Sequence, residues 1–504
     1  MARICLCLTG KTLARNLEIL DKYRKYVDLA ELRVDCLEPD ERFLIRRFPE
    51  MAGLPLILTI RRDIDGGNFS GGEGSRIILF SKGLAFADAD RRRNFAYVDI
   101  EEDLDVPSLE EAARTFGTRI IRSYHNLQGV DDNLARKLRS LSHVGDEIVK
   151  VAVSPRSTDD VLRVYRAAGE TADLEKILLC MGPLGISTRI LAAYMSSYLS
   201  YTSVKGEPDL PPGAPGQLDP GELAELYRFR QVSAETRLFG IVGFPLRTTS
   251  SPRLFNAVFT QENLDALYVP FPSDSIHGFL CLAEEIGLTG VSVTVPYKEA
   301  VLPYLARRSE EVESVGACNT LVFGPQGWIG YNTDTRGFSD SLLEFIGKKD
   351  CKGKKVTIIG AGGAARAVAA EIYRLKGKAL ILNRTVMRAR ELAMPYRFLW
   401  GTMDGRGIDL MSSYSDIIIQ TTPVGMEPDT GEDPLALYRF LGHELVMDLI
   451  YKPERTMFLK RAAEAGCRIR NGYDMLIRQA KYQYHLFLGK EFPSHIPDIP
   501  GKFS

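Results

Sequence analysis

Between residues 356 and 385 an apolar stretch, Val356-Thr357-Ile358-Ile359, runs into Gly360-Ala361-Gly362-Gly363-Ala364. A helical run follows, and then a second apolar stretch, Ala379-Leu380-Ile381-Leu382, which ends in Asn383-Arg384-Thr385. Strand, glycine turn, helix and strand in this order predict a Rossmann-type βαβ unit. The glycines permit a tight turn and let the backbone approach a pyrophosphate at the helix N-terminus. Folds that bind NAD place an acidic residue about 20 residues downstream, on the ribose 2′-hydroxyl. Here that place holds Asn383, Arg384 and Thr385, with Arg388 one turn on. A guanidinium suits a 2′-phosphate and would waste its charge on a hydroxyl. The unit therefore implies NADP(H) and hydride chemistry in the C-terminal part of the chain.

The 504 residues exceed one ordinary core, so two or three domains are expected. A net charge of −1 offers no basic surface for nucleic acid. No apolar run is long enough to span a bilayer, and the N-terminus enters a strand-like stretch without a signal-like segment. Eight cysteines stand scattered without a Cys-x-x-Cys pair and read as reduced thiols of a cytoplasmic protein. Cys5 and Cys7 alternate along one strand and are expected to face its core side.

The first half alternates β-rich and helical runs. Strands are expected at Ile4–Leu8, Leu29–Val34, Leu56–Ile60, Tyr97–Glu101, Arg119–Tyr124, Glu147–Val153, Lys176–Met181 and Leu199–Val204. Eight such strands suggest a (β/α)8 TIM-type barrel, with an open doubly wound sheet as the alternative. Barrel chemistry sits at the carboxyl ends of strands, where Glu31, Arg33, Arg61, Glu101 and His125 collect. Lys150 lies inside Ile148-Val149-Lys150-Val151-Ala152-Val153. Desolvation disfavours an ammonium and would leave an amine able to form a Schiff base with a ketone; the competing reading is a lysine paired with a carboxylate. Adjacent strands are expected to set His125 beside Lys150.

These residues resemble the type I 3-dehydroquinate dehydratases over about residues 1–217. The resemblance rests on Glu31-Leu32-Arg33-Val34-Asp35, Thr59-Ile60-Arg61, Ser123-Tyr124-His125-Asn126, Val149-Lys150-Val151-Ala152, Met181-Gly182-Pro183-Leu184-Gly185 and Ala214-Pro215-Gly216-Gln217. It implies that Lys150 forms an imine with the substrate ketone, while His125 moves the proton beside it and protonates the departing hydroxyl. Glu31, Arg33, Arg61 and Arg189 would hold the carboxylate and hydroxyls, with Gln217 closing over them and no metal. Gly213 departs from the serine that many relatives carry.

After a Pro/Gly-rich stretch and a charged, helical connector at 221–236, a second strand–helix series begins. Thr249, Ser250 and Ser251 precede Pro252 and a helix; Thr294-Val295-Pro296-Tyr297-Lys298 ends a β-branched run; Asn319-Thr320 and Asn332-Thr333-Asp334 flank a hairpin-like stretch. Singly these read as a cap, a strand-end lysine and Asx turns; together they suggest a site for a compact polyol. This half resembles shikimate dehydrogenase through Gly243-Phe244-Pro245, Ser251-Pro252, the Thr294 to Lys298 run, Gly316-Ala317-Cys318-Asn319-Thr320, Gly330-Tyr331-Asn332-Thr333-Asp334, the glycine turn, Asn383-Arg384-Thr385, Thr422-Pro423-Val424-Gly425-Met426 and Asp474-Met475-Leu476 with Gln479. The resemblance implies a Lys298–Asp334 pair moving the proton at the oxygen being reduced. Thr249, Ser251, Thr294, Asn319 and Gln479 would bind substrate and Tyr451 would line the nicotinamide side. Gly360, Ala361, Gly362, Gly363, Ala364, Asn383, Arg384, Thr385, Arg388, Thr422 and Met426 would hold NADP(H). Thr249, Ser292 and Thr248 depart from a usual serine, asparagine and histidine.

The expected architecture is α/β: a barrel over 1–220, the connector, a substrate-binding α/β domain over 237–337 completed by helices at 470–490, and a Rossmann-like domain over 338–470. The implied activity is dehydration of 3-dehydroquinate followed by NADPH-dependent reduction of 3-dehydroshikimate, acting on small molecules as a monomer or homodimer. Preference for quinate in the second half, or an inactive metabolite-sensing relative, are the alternatives.

Overall fold

The computed structural model describes residues 2–85, 88–141, 145–211, 213–246 and 249–495. The chain divides into two compact units, Met1–Gly240 with Phe255–Leu288, and Ile241–Leu254 with Thr289–Ser504.

The first unit opens with eight parallel strands: β1 (Arg3–Leu8), β2 (Leu29–Arg33), β3 (Leu56–Thr59), β4 (Tyr97–Glu101), β5 (Arg119–Asn126), β6 (Ile148–Val153), β7 (Lys176–Cys180) and β8 (Leu199–Thr202). Each pairs with the next as far as β7, and β1 pairs with β8, so the sheet curls into the expected barrel rather than an open sheet. The seam between β7 and β8 is spanned by a bridge from Lys176 to Ser197, where Tyr198 N donates to Lys176 O at 2.6 Å. Predicted and observed strand limits agree to within two residues, and those of β4 coincide.

The two-residue period of a strand sorts the barrel interior into layers. Nearest the amino ends lie Cys5, Leu29, Ile57, Tyr97, Ile121, Ile148, Ile177 and Leu199, one from each strand and all in one buried cluster. Two residues further along each strand come Cys7, Glu31, Thr59, Asp99, Ser123, Lys150, Leu179 and Tyr201, again all buried. The apolar layer closes the barrel floor, so the mostly polar layer above it faces only the carboxyl-end mouth. The same unit continues with β9 (Arg237–Gly243), whose first residues belong to it, and β10 (Ala266–Pro272) beside β9. The charged connector forms helix only over Glu222–Leu226 and a short turn at Phe229–Gln231, because Arg228 between them adopts φ +45°. A residue in the left-handed region cannot continue a right-handed helix.

The barrel helix Thr158–Glu170 starts with a capping box, Ser157 and Asp160 each serving the other's backbone N–H. Its Thr158 N and Oγ1 both donate to Asp274 Oδ1, at 2.8 and 2.6 Å. Thr158 is buried, and the acidic acceptor meets the positive end of the helix.

In the second unit the end of β9, then β11 (Leu288–Val293), β13 (Thr320–Gly324), β14 (Gly327–Tyr331) and the two-residue β12 (Arg307–Arg308) lie side by side. β13 and β14 form the antiparallel hairpin anticipated between Asn319 and Asn332. The last sheet is parallel throughout, in the order β17 (Leu399–Gly401), β16 (Lys378–Leu382), β15 (Lys355–Ile359), β18 (Ile417–Gln420), β19 (Leu445–Asp448), β20 (Arg468–Arg470). The order reverses between β15 and β18, the switch point where doubly wound sheets bind nucleotides. The closing helix, Tyr473–Leu488, packs on the helix Thr333–Ile346. Among the described residues no helix is long and apolar enough to cross a membrane.

Asp274→Ala should strand the Thr158 N–H, leave the Thr158 hydroxyl only Ser273 as a partner, and cost about 1–3 kcal/mol. A urea melt should show a lower midpoint; an unchanged midpoint would mean that the contact adds nothing to stability.

Candidate active sites

Lys150 is 5% exposed and points into the barrel. Its Nζ lies 2.7 Å from Asp99 Oδ2, 4.0 Å from Glu31 Oε1 and 4.5 Å from the centre of the Tyr201 ring. The sequence left open a desolvated amine or a lysine paired with a carboxylate, and the structure has the lysine both buried and paired. Asp99 also receives Ser123 Oγ at 2.6 Å and stands 2.7 Å from an Arg61 Nη that is not aligned as a hydrogen bond. Burial alone would raise the Asp99 carboxyl, but Arg61 and Lys150 outweigh it and hold it well below the usual range.

Around this pair the barrel mouth balances its charges. Arg61 donates to Glu101 at 2.5 Å, Arg76 to the other Glu101 oxygen at 2.6 Å, and Arg33 makes a two-pronged contact with Asp35 at 2.9 and 2.7 Å. Glu31 accepts from Thr59 at 2.9 Å and from the Cys7 thiol at 3.1 Å. Cys7 belongs to the expected core cluster and also borders the polar layer, where Gln217 Nε2 reaches its sulfur at 3.3 Å. Asp99, Ser123, Tyr201 and Cys7 were not singled out as site residues. Their only sequence signal is the two-residue spacing from apolar floor positions, which becomes informative once the barrel is assumed.

His125 and Lys150 share the barrel mouth and interact electrostatically. The β5–β6 register pairs Ser123 with Lys150 and His125 with Ala152, so the imidazole lies one step further toward the mouth on the same face. Its Nδ1 is buried without a partner. Burial first, then Arg61 and Lys150, push its pKa well below the ordinary 6.5, so the ring is neutral at physiological pH.

Arg189 is 1% exposed and has no carboxylate partner among the described residues. One Nη donates to Pro215 O at 3.2 Å, while Nε and the other Nη have no partner. Burial lowers its pKa to about 10, so it keeps its charge at neutral pH. A buried guanidinium with unused donors is a site for an anion. Gly213 explains itself here: a Cβ at that position would meet Gln217 Oε1 at 2.5 Å and Cys7 Cβ at 2.9 Å. The Gln217 amide already fills the space that a side chain at 213 would need.

In the second unit Lys298 Nζ donates to Asp334 Oδ2 at 2.6 Å. Asn319 Nδ2 holds the other carboxylate oxygen at 2.8 Å, and Asn319 Oδ1 receives Thr333 N and Thr320 Oγ1, both at 2.8 Å. Asn332 caps the helix that carries Asp334, so the carboxylate occupies the first turn of that helix. Gln479 accepts from Thr333 Oγ1 at 3.3 Å, and Ser292 donates to Gln483 at 2.9 Å. Gln483, absent from the expected site, links this network through Thr320 at 2.9 Å. Thr249 Oγ1 donates to Ser251 Oγ at 3.4 Å, and the Tyr451 hydroxyl accepts from Ser250 N at 3.3 Å. Thr294 anchors its strand end by donating its N–H to Val242 O at 2.9 Å. Thr248 lies outside the described residues.

Gly360 adopts φ +111°, which disfavours any side chain, and a Cβ there would meet Thr421 Oγ1 at 2.5 Å. A Cβ on Gly362 would meet nothing within 4 Å, so the turn leaves open space at the N-terminus of the helix Gly363–Arg374. Ala361 and Ala364 complete the turn. Arg384, Thr385 and Arg388 are exposed beyond β16, and the two guanidiniums make no ion pair among the described residues. Asn383 ties that loop by donating to Thr385 O at 2.9 Å. Thr422 follows the end of β18, its N–H bound by Gln420 at 2.6 Å, and Met426 lies four residues on. Open space at a helix N-terminus and free arginines beyond the next strand fit a dinucleotide carrying an extra phosphate.

The fold and these two polar sites define a chain with two enzyme-like centres, one built on a barrel lysine and one on a lysine–aspartate pair beside a nucleotide fold. Family models described as "Type I 3-dehydroquinase", "Shikimate dehydrogenase substrate binding domain" and "Shikimate / quinate 5-dehydrogenase" match residues 4–234, 241–321 and 343–423. A chloroplastic bifunctional 3-dehydroquinate dehydratase/shikimate dehydrogenase of Arabidopsis thaliana is 28% identical over 93% of this chain and 79% of its own length. A shikimate dehydrogenase (NADP(+)) of Caldanaerobacter subterraneus is 36% identical over 52% of this chain and 95% of its own. A solved dehydroquinate dehydratase and shikimate dehydrogenase from S. pombe is 23% identical with a TM-score of 0.43, covering 98% of this chain and 96% of that one. The chain belongs to the shikimate dehydrogenase family, with a type I 3-dehydroquinase domain ahead of it.

Because the folded state resists protonating His125 while the unfolded chain does not, this residue costs stability as pH falls below 6.5 and has no such effect above it. An NMR titration should find the His125 ring unchanged through that value; a midpoint at or above it would contradict a neutral imidazole.

Proposed function

We propose that this chain dehydrates 3-dehydroquinate in its barrel and reduces the product, 3-dehydroshikimate, to shikimate with NADPH. What carries the reading is the presence of both matched families in one chain, because the first reaction makes the substrate of the second. We assign residues 1–220 to the dehydratase, 237–337 with 470–490 to the substrate lobe of the reductase, and 338–470 to its nucleotide lobe.

In the barrel, Lys150 gives up a proton and attacks the ketone, releasing water and forming an imine that draws electrons from the neighbouring carbon. The neutral His125 removes the proton from that carbon and then passes it to the departing hydroxyl, which leaves as water. Hydrolysis of the imine returns the lysine. Arg189 supplies a buried positive charge at the carboxyl-end mouth without a carboxylate of its own among the described residues, which suits the substrate's carboxylate. Glu31, Arg33 and Arg61 present oxygen and nitrogen atoms to its hydroxyls, with Gln217 above.

In the second site NADPH supplies a hydride when bound. Lys298 and Asp334 deliver the proton that the reduced oxygen needs, and their 2.6 Å contact supports a shared role. Thr249, Ser251, Thr294, Asn319 and Gln479 orient the substrate, and Tyr451 closes the nicotinamide side. Arg384 and Arg388 bind the 2′-phosphate, with Asn383 and Thr385 beside them and Thr422 and Met426 across the nucleotide. All eight cysteines are free thiols, which supports a reducing, cytoplasmic setting. The chain acts on these small molecules, without nucleic acid, as a monomer or homodimer.

Borohydride added with dehydroquinate should fix substrate covalently on Lys150, read by peptide mass; an adduct on another lysine, or none, would overturn the imine assignment. Arg384→Asp should cut the preference for NADPH over NADH by about ten-fold or more, since a charge-assisted phosphate contact is worth about 1.5–3 kcal/mol. An unchanged ratio of kcat/KM for the two cofactors would remove Arg384 from phosphate recognition.

A further inference from the structure

The three glycines of the nucleotide turn meet three different surroundings. Gly360 is fixed by its positive φ, and Gly362 faces open space. Gly363 faces a side chain: a Cβ built on it would lie 3.0 Å from Cδ, 3.1 Å from Cβ and 3.5 Å from Cγ of Lys298. Resting on the reductase reading above, we propose that Gly363 is a positioning residue for Lys298, its missing side chain letting the nucleotide helix press on the lysine stem and fix the amine against Asp334.

The lysine has no room to give way. Its backbone carbonyl accepts from Cys318 N at 2.7 Å, and its Nζ is held by Asp334 at 2.6 Å. The next residue, Glu299, contacts Arg366 of the same nucleotide helix at 3.0 Å, so the segment is held to that helix beside the point of contact. The stem is therefore fixed near Cβ and at its tip while the helix bears on its middle. A methyl group at 363 must move the helix or the stem by a few tenths of an ångström. Either movement spoils the alignment of the lysine–aspartate pair without filling the space left open at Gly362.

The test uses the full chain and steady-state kinetics of both reactions. Gly363→Ala should lower kcat for reduction about ten-fold or more, given that misplacing a reacting group by about 1 Å can cost about 100-fold. Its KM for NADPH should stay within about three-fold, a split that marks a lost transition-state interaction. Gly362→Ala should show the opposite split, with NADPH binding weakened by about ten-fold and by more than kcat falls. The dehydratase rate and the thermal midpoint report whether each variant is folded.

A second pair of variants works even if Gly363→Ala folds poorly. In a Lys298→Gly background the stem is gone, so the thermal midpoint lost to Gly363→Ala should be largely recovered. The proposal is overturned if Gly363→Ala keeps its kcat, if it raises KM for NADPH as Gly362→Ala does, or if the Lys298→Gly background recovers nothing. A wild-type chain that reduces no dehydroshikimate would instead refute the reductase reading itself.

Discussion

Burying charge is the constraint around which the barrel is built. Taking a carboxylate or ammonium out of water costs several kcal/mol per ion unless partners replace the lost solvation. The mouth meets this cost by alternation: Arg33 on Asp35, Arg61 between Asp99 and Glu101, Arg76 on Glu101, and Lys150 on Asp99 with Glu31 nearby. Each carboxylate lets a cation be buried, and against the effect of burial the cations hold the Asp35 and Asp99 carboxyls below the usual range. The layer of aliphatic and aromatic side chains beneath keeps water from entering through the floor. Arg189 stands outside this balance, so the pocket carries one positive charge whose natural partner comes from outside the protein.

The same logic explains the neutral imidazole. His125 shares the mouth with Arg61 and Lys150, and adding a third positive charge there is unfavourable. A base that remains unprotonated at this mouth therefore follows from burial first and from the neighbouring cations second. In the second unit the means are different. Lys298 and Asp334 are less deeply buried, and a chain of amides and hydroxyls running from Asn319 through Thr320 to Gln483 and Ser292 fixes them. There a chain of hydrogen bonds surrounds one ion pair, Lys298 with Asp334, in place of the alternating charges of the barrel.

Much of this was legible in the residues. The barrel followed from eight evenly spaced β-branched runs, and the Rossmann unit from glycines placed between two apolar stretches. Lys150 stood out because a charged residue inside Ile-Val-Lys-Val-Ala-Val conflicts with its surroundings. Asp99 was illegible for the opposite reason: Tyr97-Val98-Asp99-Ile100-Glu101 alternates like any half-buried strand, and nothing local says that its acidic side faces a lysine 51 positions away. Gly213 read only as a departure from a usual serine, whereas the structure shows Gln217 and Cys7 occupying the space a side chain there would need. The helical connector was overestimated because one residue's left-handed backbone, at Arg228, is invisible to hydrophobic periodicity.

By itself the sequence determined which elements form and which chemical groups the chain possesses, because strand period, glycine turns and helix caps act over a few residues and can be read locally. Tertiary structure decided who stands next to whom. The register between β5 and β6 set Ser123, not His125, opposite Lys150; closure of the barrel brought Asp99 and Tyr201 to the same amine; and the packing of the nucleotide helix put Gly363 against Lys298. These outcomes depend on distances between segments far apart in the chain. Such distances are fixed only when the hydrophobic layers have closed and each buried charge has found its counterpart.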